Sequence, residues 1–251
     1  MRLFKAAPLR ALTAAVLAVG LVFSPASAMR VQPMSYDLTP SGRGATQDIR
    51  VENTESKPMP VEIRVERRRI GPNGEETREP AEDDFLIFPP QGIVPANGFQ
   101  NFRVQYIGDP ALPQTALYVV TVAQLPVDTT GSESSGVQFL FNLGTSVAVS
   151  PEGATANVQV TSVEAGSEPG RLRISVVNRG NRYARLHNGS WTFTAAGGAS
   201  ETLTGEELRS AVSQPLIEPG ATRTLELPVS AAFVREGAAA RFEYVPITSG
   251  R

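Results

Sequence analysis

The sequence predicts an all-β protein made of two successive β-sandwiches, and three observations carry that prediction. Short segments alternate strictly between apolar and polar residues, as in Val61-Glu62-Ile63-Arg64-Val65-Glu66, Arg171-Leu172-Arg173-Ile174-Ser175-Val176 and Thr222-Arg223-Thr224-Leu225-Glu226-Leu227. Such alternation puts apolar side chains on one sheet face and charges on the other, the pattern of antiparallel sheets with one face in a core. Turn and loop chemistry breaks the chain between such runs, at Gly71-Pro72-Asn73-Gly74, at Thr129 to Gly136 and at Ser167-Glu168-Pro169-Gly170. Only Gly205 to Val212 has helical character after the leader, and it is short, which favours β-sandwiches over an α/β architecture.

The first 28 residues read as a leader and belong to neither sandwich. Arg2, Lys5 and Arg10 form a basic start, Ala11 to Phe23 is a run of small and apolar residues, and Ala26-Ser27-Ala28 has the form that signal peptidase cleaves. The run is too short to span a bilayer. Export and cleavage after Ala28 are therefore expected. With 251 residues, 41% of them hydrophobic and 19% charged, the chain suits two modest globular domains and is too apolar for general disorder. Ser150-Pro151-Glu152-Gly153 is the economical boundary, giving an N-terminal domain over 29–150 and a C-terminal domain over 151–251.

In the first domain, Val61 to Glu66 is a half-buried strand. Arg67-Arg68-Arg69 continues it and is answered by Glu75, Glu76, Glu79, Glu82, Asp83 and Asp84, which reads as a solvated hairpin with neutralising cross-strand charges. Val94 to Val104 carries a turn at Pro95-Ala96-Asn97-Gly98 feeding a strand, and Ile217 to Leu225 repeats the device around Pro219-Gly220. Val137-Gln138-Phe139-Leu140-Phe141-Asn142-Leu143-Gly144-Thr145 is the most informative segment. Its Val137, Phe139, Phe141 and Leu143 fall on one face at period two, while Leu140 is apolar on the other. Such a strand is either core or, at a sheet edge, an aggregation hazard until a partner strand covers it. In the second domain Trp191 opens an alternating strand and is expected in the core.

Most catalytic chemistries lack their residues. Cysteine is absent and His187 is the one histidine, so thiolate zinc sites, cysteine nucleophiles and multi-histidine metal sites are excluded. No Gly-x-Ser-x-Gly elbow presents a serine, and His187, in Arg185-Leu186-His187-Asn188-Gly189, reads as a polar turn residue. The acidic set around Glu79 to Asp84 lacks the spacing of a calcium loop. After loss of the leader the chain carries 20 basic and 25 acidic residues, a sign that disfavours nucleic acid as a partner. No enzyme activity, cofactor or metal is expected.

Several segments together resemble the PapD-like periplasmic chaperones of pilus and fimbrial assembly. In the first half these are Phe85-Leu86-Ile87-Phe88-Pro89-Pro90, Pro95, Arg103, Leu112-Pro113-Gln114, Tyr118, Gln124-Leu125-Pro126 and the strand from Val137. In the second half they are Val177 to Tyr183 and Leu216 to Leu227, so the likeness runs over residues 30 to 245. The resemblance implies two immunoglobulin-like sandwiches set as a boomerang with a cleft between them, in the periplasm. It implies donor-strand complementation, in which Val137, Phe139, Phe141 and Leu143 fill the groove of an incomplete pilus or fimbrial subunit before delivery to an outer-membrane usher. A self-capping dimer is an alternative cover for that strand in the free protein. A stand-alone periplasmic binding module of the same fold is the rival function.

Against the family pattern, the arginine of the first strand falls within Pro33 to Ser35 and the lysine late in the alternating strand falls at Ser146; neither base is present. In the family that pair binds the subunit's terminal carboxylate. Arg182, with Arg179 behind it, is the expected replacement, since both lie in the segment that faces the cleft and a guanidinium grips a carboxylate bidentately. The family's inter-domain salt bridge is also missing, since its acid would sit near Thr115 and its arginine near Ser150.

Overall fold

The computed structural model describes residues 29–126, 139–230, 233 and 238–246. The first ten strands are β1 (Met29–Gln32), β2 (Ser35–Leu38), β3 (Thr46–Asn53), β4 (Met59–Ile70), β5 (Glu76–Pro80), β6 (Phe85–Phe88), β7 (Gln91–Val94), β8 (Phe99–Tyr106), β9 (Ala116–Gln124) and β10 (Asn142–Val149). They form two facing sheets, one ordered β1-β3-β8-β6 and the other β2-β10-β9-β4-β5, with β7 also paired to β4. Alternation does what it predicts here. Val61, Val65, Ile49, Val51, Phe102 and Val104 interdigitate between the sheets with Val120, Val122 and Val147, while the intervening charges face outward. The Pro95-to-Gly98 turn places Asn97 at φ 51°, a left-handed position that asparagine tolerates, and hands the chain to β8.

The remaining strands are β11 (Val158–Ala165), β12 (Arg171–Asn178), β13 (Ala184–Arg185), β14 (Gly189–Thr194), β15 (Ser200–Thr204), β16 (Leu216–Ile217), β17 (Thr222–Pro228) and β18 (Ala239–Tyr244), with one short helix, α1 (Gly205–Ala211). They make sheets β11-β12-β17, β15-β14-β18 and the pair β13-β16 around a second core. Trp191 is fully buried there beside Phe193, Ile174 and Leu227, and its indole N–H donates to the Leu186 carbonyl at 3.0 Å. No strand before Val149 pairs with a strand after it among the described residues. The protein is thus all-β, with two immunoglobulin-like sandwiches.

Side chains and turns join the two halves. Ile70, Leu117 and Ala148 of the first meet Tyr183 and Leu216 of the second in a small apolar cluster. Near where the family pattern has a salt bridge, the Thr115 and Ser150 hydroxyls hydrogen-bond at 2.8 Å, and Thr115 Oγ1 also accepts from Tyr183 N at 3.2 Å. The β4–β5 hairpin departs from the expected solvated one. Its charges do pair across strands, as Arg68 with Glu76 and Arg78 with Glu66, and along β5, as Arg78 with Glu76, yet its tip is docked on the second half. Ile70 N donates to the buried Glu218 carboxylate at 3.1 Å, and Thr224 N donates to Pro72 O at 2.7 Å.

Candidate functional site

Strand β10 is covered on one edge and open on the other. It pairs antiparallel with β9 from Asn142↔Ala123 to Val149↔Ala116, whereas on its other side β2 covers only Ser146 to Val149, in parallel. Among the described residues no strand pairs with the second edge of Asn142 to Thr145. This leaves a row of backbone donors and acceptors available to an added strand.

The apolar comb leads straight into that edge. Phe139 is 74% exposed, Leu140 44% and Phe141 37%, all far above what large apolar residues show in a core. Leu143 is half-buried and packs on the first core, and Thr145, Val147 and Val149, of the same parity, are fully buried. Phe139 and Phe141 therefore share the parity of the core-facing side of β10 and lie exposed just before it. Val137 lies outside the described residues. The strand begins at Asn142, later than the alternation from Val137 predicts; β9 ends at Gln124, and the next backbone donor, Leu125 N, turns to Pro60 O at 2.9 Å. Phe141 is tethered to β9: Gln124 N donates to its carbonyl at 2.9 Å and its N–H donates to Gln124 Oε1 at 3.2 Å.

At the closed end of the edge, Ser146 pairs in register with Ser35, so both hydroxyls lie on the sheet face turned towards the second half. Ser146 is where the family pattern has its lysine, and Ser35 ends the span, Pro33 to Ser35, in which its arginine falls. Two guanidiniums reach them from elsewhere. Arg68 Nη1 donates to Ser146 Oγ at 3.2 Å, and Arg185 Nη2 donates to Ser35 Oγ at 2.7 Å. Arg68 is paired with Glu76 through its Nε at 2.8 Å and through Nη2. Arg185 has no carboxylate in ion-pair reach among the described residues, and its Nε is buried with no hydrogen-bond partner.

The two arginines singled out from the sequence sit differently. Arg182 is near the edge but committed: its Nη2 donates to Asp37 Oδ2 at 2.6 Å, and the Tyr183 hydroxyl donates to Asp37 Oδ1 at 2.8 Å. Burial and then the Asp37 charge push the Tyr183 hydroxyl up to about 12. Arg179 is exposed and donates to Gln159 Oε1 at 3.0 Å. Arg68 and Arg185 were hidden from sequence reasoning for separate reasons. Arg68 sits in a charge-balanced hairpin that reads as solvated, and Arg185 belongs to a two-residue strand with no periodicity. His187 lines an open cleft with Asn188, Arg209 and Val245; burial, then Arg185 and Arg209, hold its imidazole below the ordinary value.

Comparison with known proteins gives the same architecture. Residues 37–155 match the family model for the N-terminal domain of PapD, described as a pili and flagellar-assembly chaperone. No curated protein sequence matches the chain. Among solved structures, the class 5 fimbriae chaperone CfaA superposes with a TM-score of 0.55 at 14% identity, covering 87% of this chain and 100% of its own. The Escherichia coli chaperone DraB gives 0.51 at 18% identity, over 87% and 96%. A chain of the complex between SafA pilin and the SafB chaperone of Salmonella enterica gives 0.51 at 17% identity, over 86% and 96%. Over residues 37–155 the chain thus matches the PapD-like pilus-assembly chaperones, and its described strands share the two-sandwich fold of the solved fimbrial chaperones.

Proposed function

We propose that this protein captures pilus or fimbrial subunits by donating β10 and the comb before it, holding them in the periplasm until an outer-membrane usher takes them over. The observation that carries the reading is the open edge of Asn142 to Thr145 continued by the exposed Phe139, Leu140 and Phe141. A self-contained binding module would cover these side chains itself. In this reading residues 1–28 are the export signal, and 29–150 and 151–251 are the two chaperone domains.

Each added backbone hydrogen bond contributes about 0.5–1.5 kcal/mol net, while each buried phenylalanine contributes roughly 1.5–3 kcal/mol. The comb of Val137, Phe139, Phe141 and Leu143 therefore dominates affinity, and the backbone fixes register. A strand running along the open edge must stop where β2 begins, so its terminal carboxylate arrives at Ser35 and Ser146. Arg185, with no carboxylate in ion-pair reach among the described residues, and Arg68 are the cations best placed to receive it there. Arg182, the sequence's first candidate, stands behind them in its pair with Asp37, and Arg179 lies further out on the surface.

The test is periplasmic co-expression with the pilus subunits encoded beside its gene, followed by pull-down. A stable one-to-one complex is expected. Phe139→Arg is expected to abolish capture while the thermal midpoint of the free protein stays within about 2 °C, since surface substitutions away from packing rarely exceed about 0.5 kcal/mol. A variant that fails to fold makes Phe139 a core residue. Absence of a complex with every subunit favours the stand-alone binding module.

A further inference from the structure

Arg68 is held in place from across the joint between the two halves. Glu76 Oε2 accepts from Arg68 Nε at 2.8 Å and from Nη2, and also from Gln214 Nε2 at 3.2 Å; its Oε1 accepts from Arg78 Nε at 2.6 Å. Gln214 is itself oriented, because its Oε1 accepts from Leu216 N at 3.3 Å, which fixes which end of the amide faces Glu76. The Nε/Nη2 edge of Arg68 is thus consumed by Glu76, and Nη1 is turned to Ser146 Oγ at 3.2 Å. A continuous chain runs from the second half to the closed end of the open edge: Gln214, Glu76, Arg68, Ser146. The arginine is restrained by partners and burial together, with 14% of its side chain exposed.

We infer that Gln214 and Glu76 are positioning residues for terminal-carboxylate recognition at the open edge, so that the second half sets the aim of Arg68 through Gln214, which does not itself touch the subunit. The inference rests on the proposed strand donation and deepens it. A guanidinium that has lost Glu76 is free to rotate about its long stem, and a carboxylate would then have to order it on binding. Gln214 completes the Glu76 cradle. Without it, Glu76 retains only the first half's two arginines and can follow Arg78 away from the edge. The rest of the hairpin joint, Glu218 with Ile70 N and Thr224 with Pro72, is untouched by changes at Gln214, so the halves stay docked.

Two measurements test this. In the first, the subunit from the co-expression experiment is made with its native C-terminus and with a Gly-Ser-Gly tail that carries the carboxylate past Ser146. Wild type is expected to retain the native form about tenfold better or more, the size of one hydrogen bond to a charge. In Gln214→Ala and Glu76→Gln that preference is expected to fall to within about threefold, close to Arg68→Ala, whereas Gln214→Asn restores part of it. Equal preference in wild type and Gln214→Ala overturns the inference, as does an equal loss of both subunit forms, which marks a merely structural role. In the second, the side-chain Nε–H signal of Arg68 is followed by NMR in the free, 15N-labelled chain. It is expected to exchange slowly with water in wild type and several-fold faster in Gln214→Ala. Unchanged exchange overturns the relay even where wild type captures no subunit, a result that would instead count against strand donation.

Discussion

Glu76 sits where a hairpin, a cross-strand ion pair and a contact between halves coincide. Burial by itself would raise its carboxyl, but hydrogen bonds from Arg68 and Arg78 outweigh that and hold the group below the ordinary glutamate value. A carboxyl depressed in the folded state contributes stability that is complete above its unfolded value of about 4.3 and is lost as pH falls through the folded value. Glu76→Gln is therefore expected to be less stable than wild type near neutral pH, with the gap narrowing as pH drops below about 4. Thermal melts between about pH 3 and pH 7 measure it. A gap constant across that range would mean that the charge of Glu76 adds nothing beyond its shape. Arg185 is the opposite case at the same scale, a guanidinium near Tyr183 and Ser35 with no acid in ion-pair reach among the described residues. Such a cation is costly to leave half-buried unless an anion from outside completes it.

Strand β10 does two jobs along one parity. Val147 and Val149 are pure core, Phe139 to Phe141 are outside, and Leu143 is the hinge between them, half-buried against the first core. Leu143→Ala is expected to cost stability and capture together. The stability loss, by urea melt, should stay below the ~2–5 kcal/mol of a fully buried leucine. Val147→Ala is expected to lower stability while capture per folded molecule is unchanged. Should Leu143→Ala leave capture untouched, the comb ends at Phe141. The parity of this strand was legible in the sequence because period two needs only local residues. Its neighbours were not: β2 pairs in parallel from the start of the chain and leaves Asn142 to Thr145 open, and no local pattern encodes that. The same holds for the cations. Charge balance within Arg67 to Asp84 concealed that Arg68 faces Ser146, and Arg185 reaches Ser35 through tertiary packing alone. Arg182 was legible as a residue near the site, while its partner Asp37, far away in sequence, was not.

At the scale of the molecule, two sandwiches must hold a fixed relation if Arg185 of the second is to meet Ser35 of the first. The joint divides into a charged part and a neutral part. Glu218 binds Arg69 and Ile70 N on one side of the apolar cluster, and Asp37 binds Arg182 and Tyr183. The neutral part is Thr115, whose hydroxyl pairs with Ser150 inside the first half, where the family pattern has an ion pair, and accepts from Tyr183 N of the second. Replacing a buried ion pair by two small hydroxyls removes the cost of desolvating both charges and keeps a hydrogen bond. A double-mutant cycle of Thr115→Val and Ser150→Ala is expected to give a coupling of about 0.5–1.5 kcal/mol, the net worth of one neutral hydrogen bond. Because neither partner is charged, that coupling should be the same at low and at roughly 0.5 M salt. The Arg69–Glu218 pair, with Arg69 57% exposed, should weaken under the same change. Salt dependence in the Thr115–Ser150 cycle would show that the hydroxyls act through the neighbouring Arg182–Asp37 charges, and the neutral joint would then be wrong.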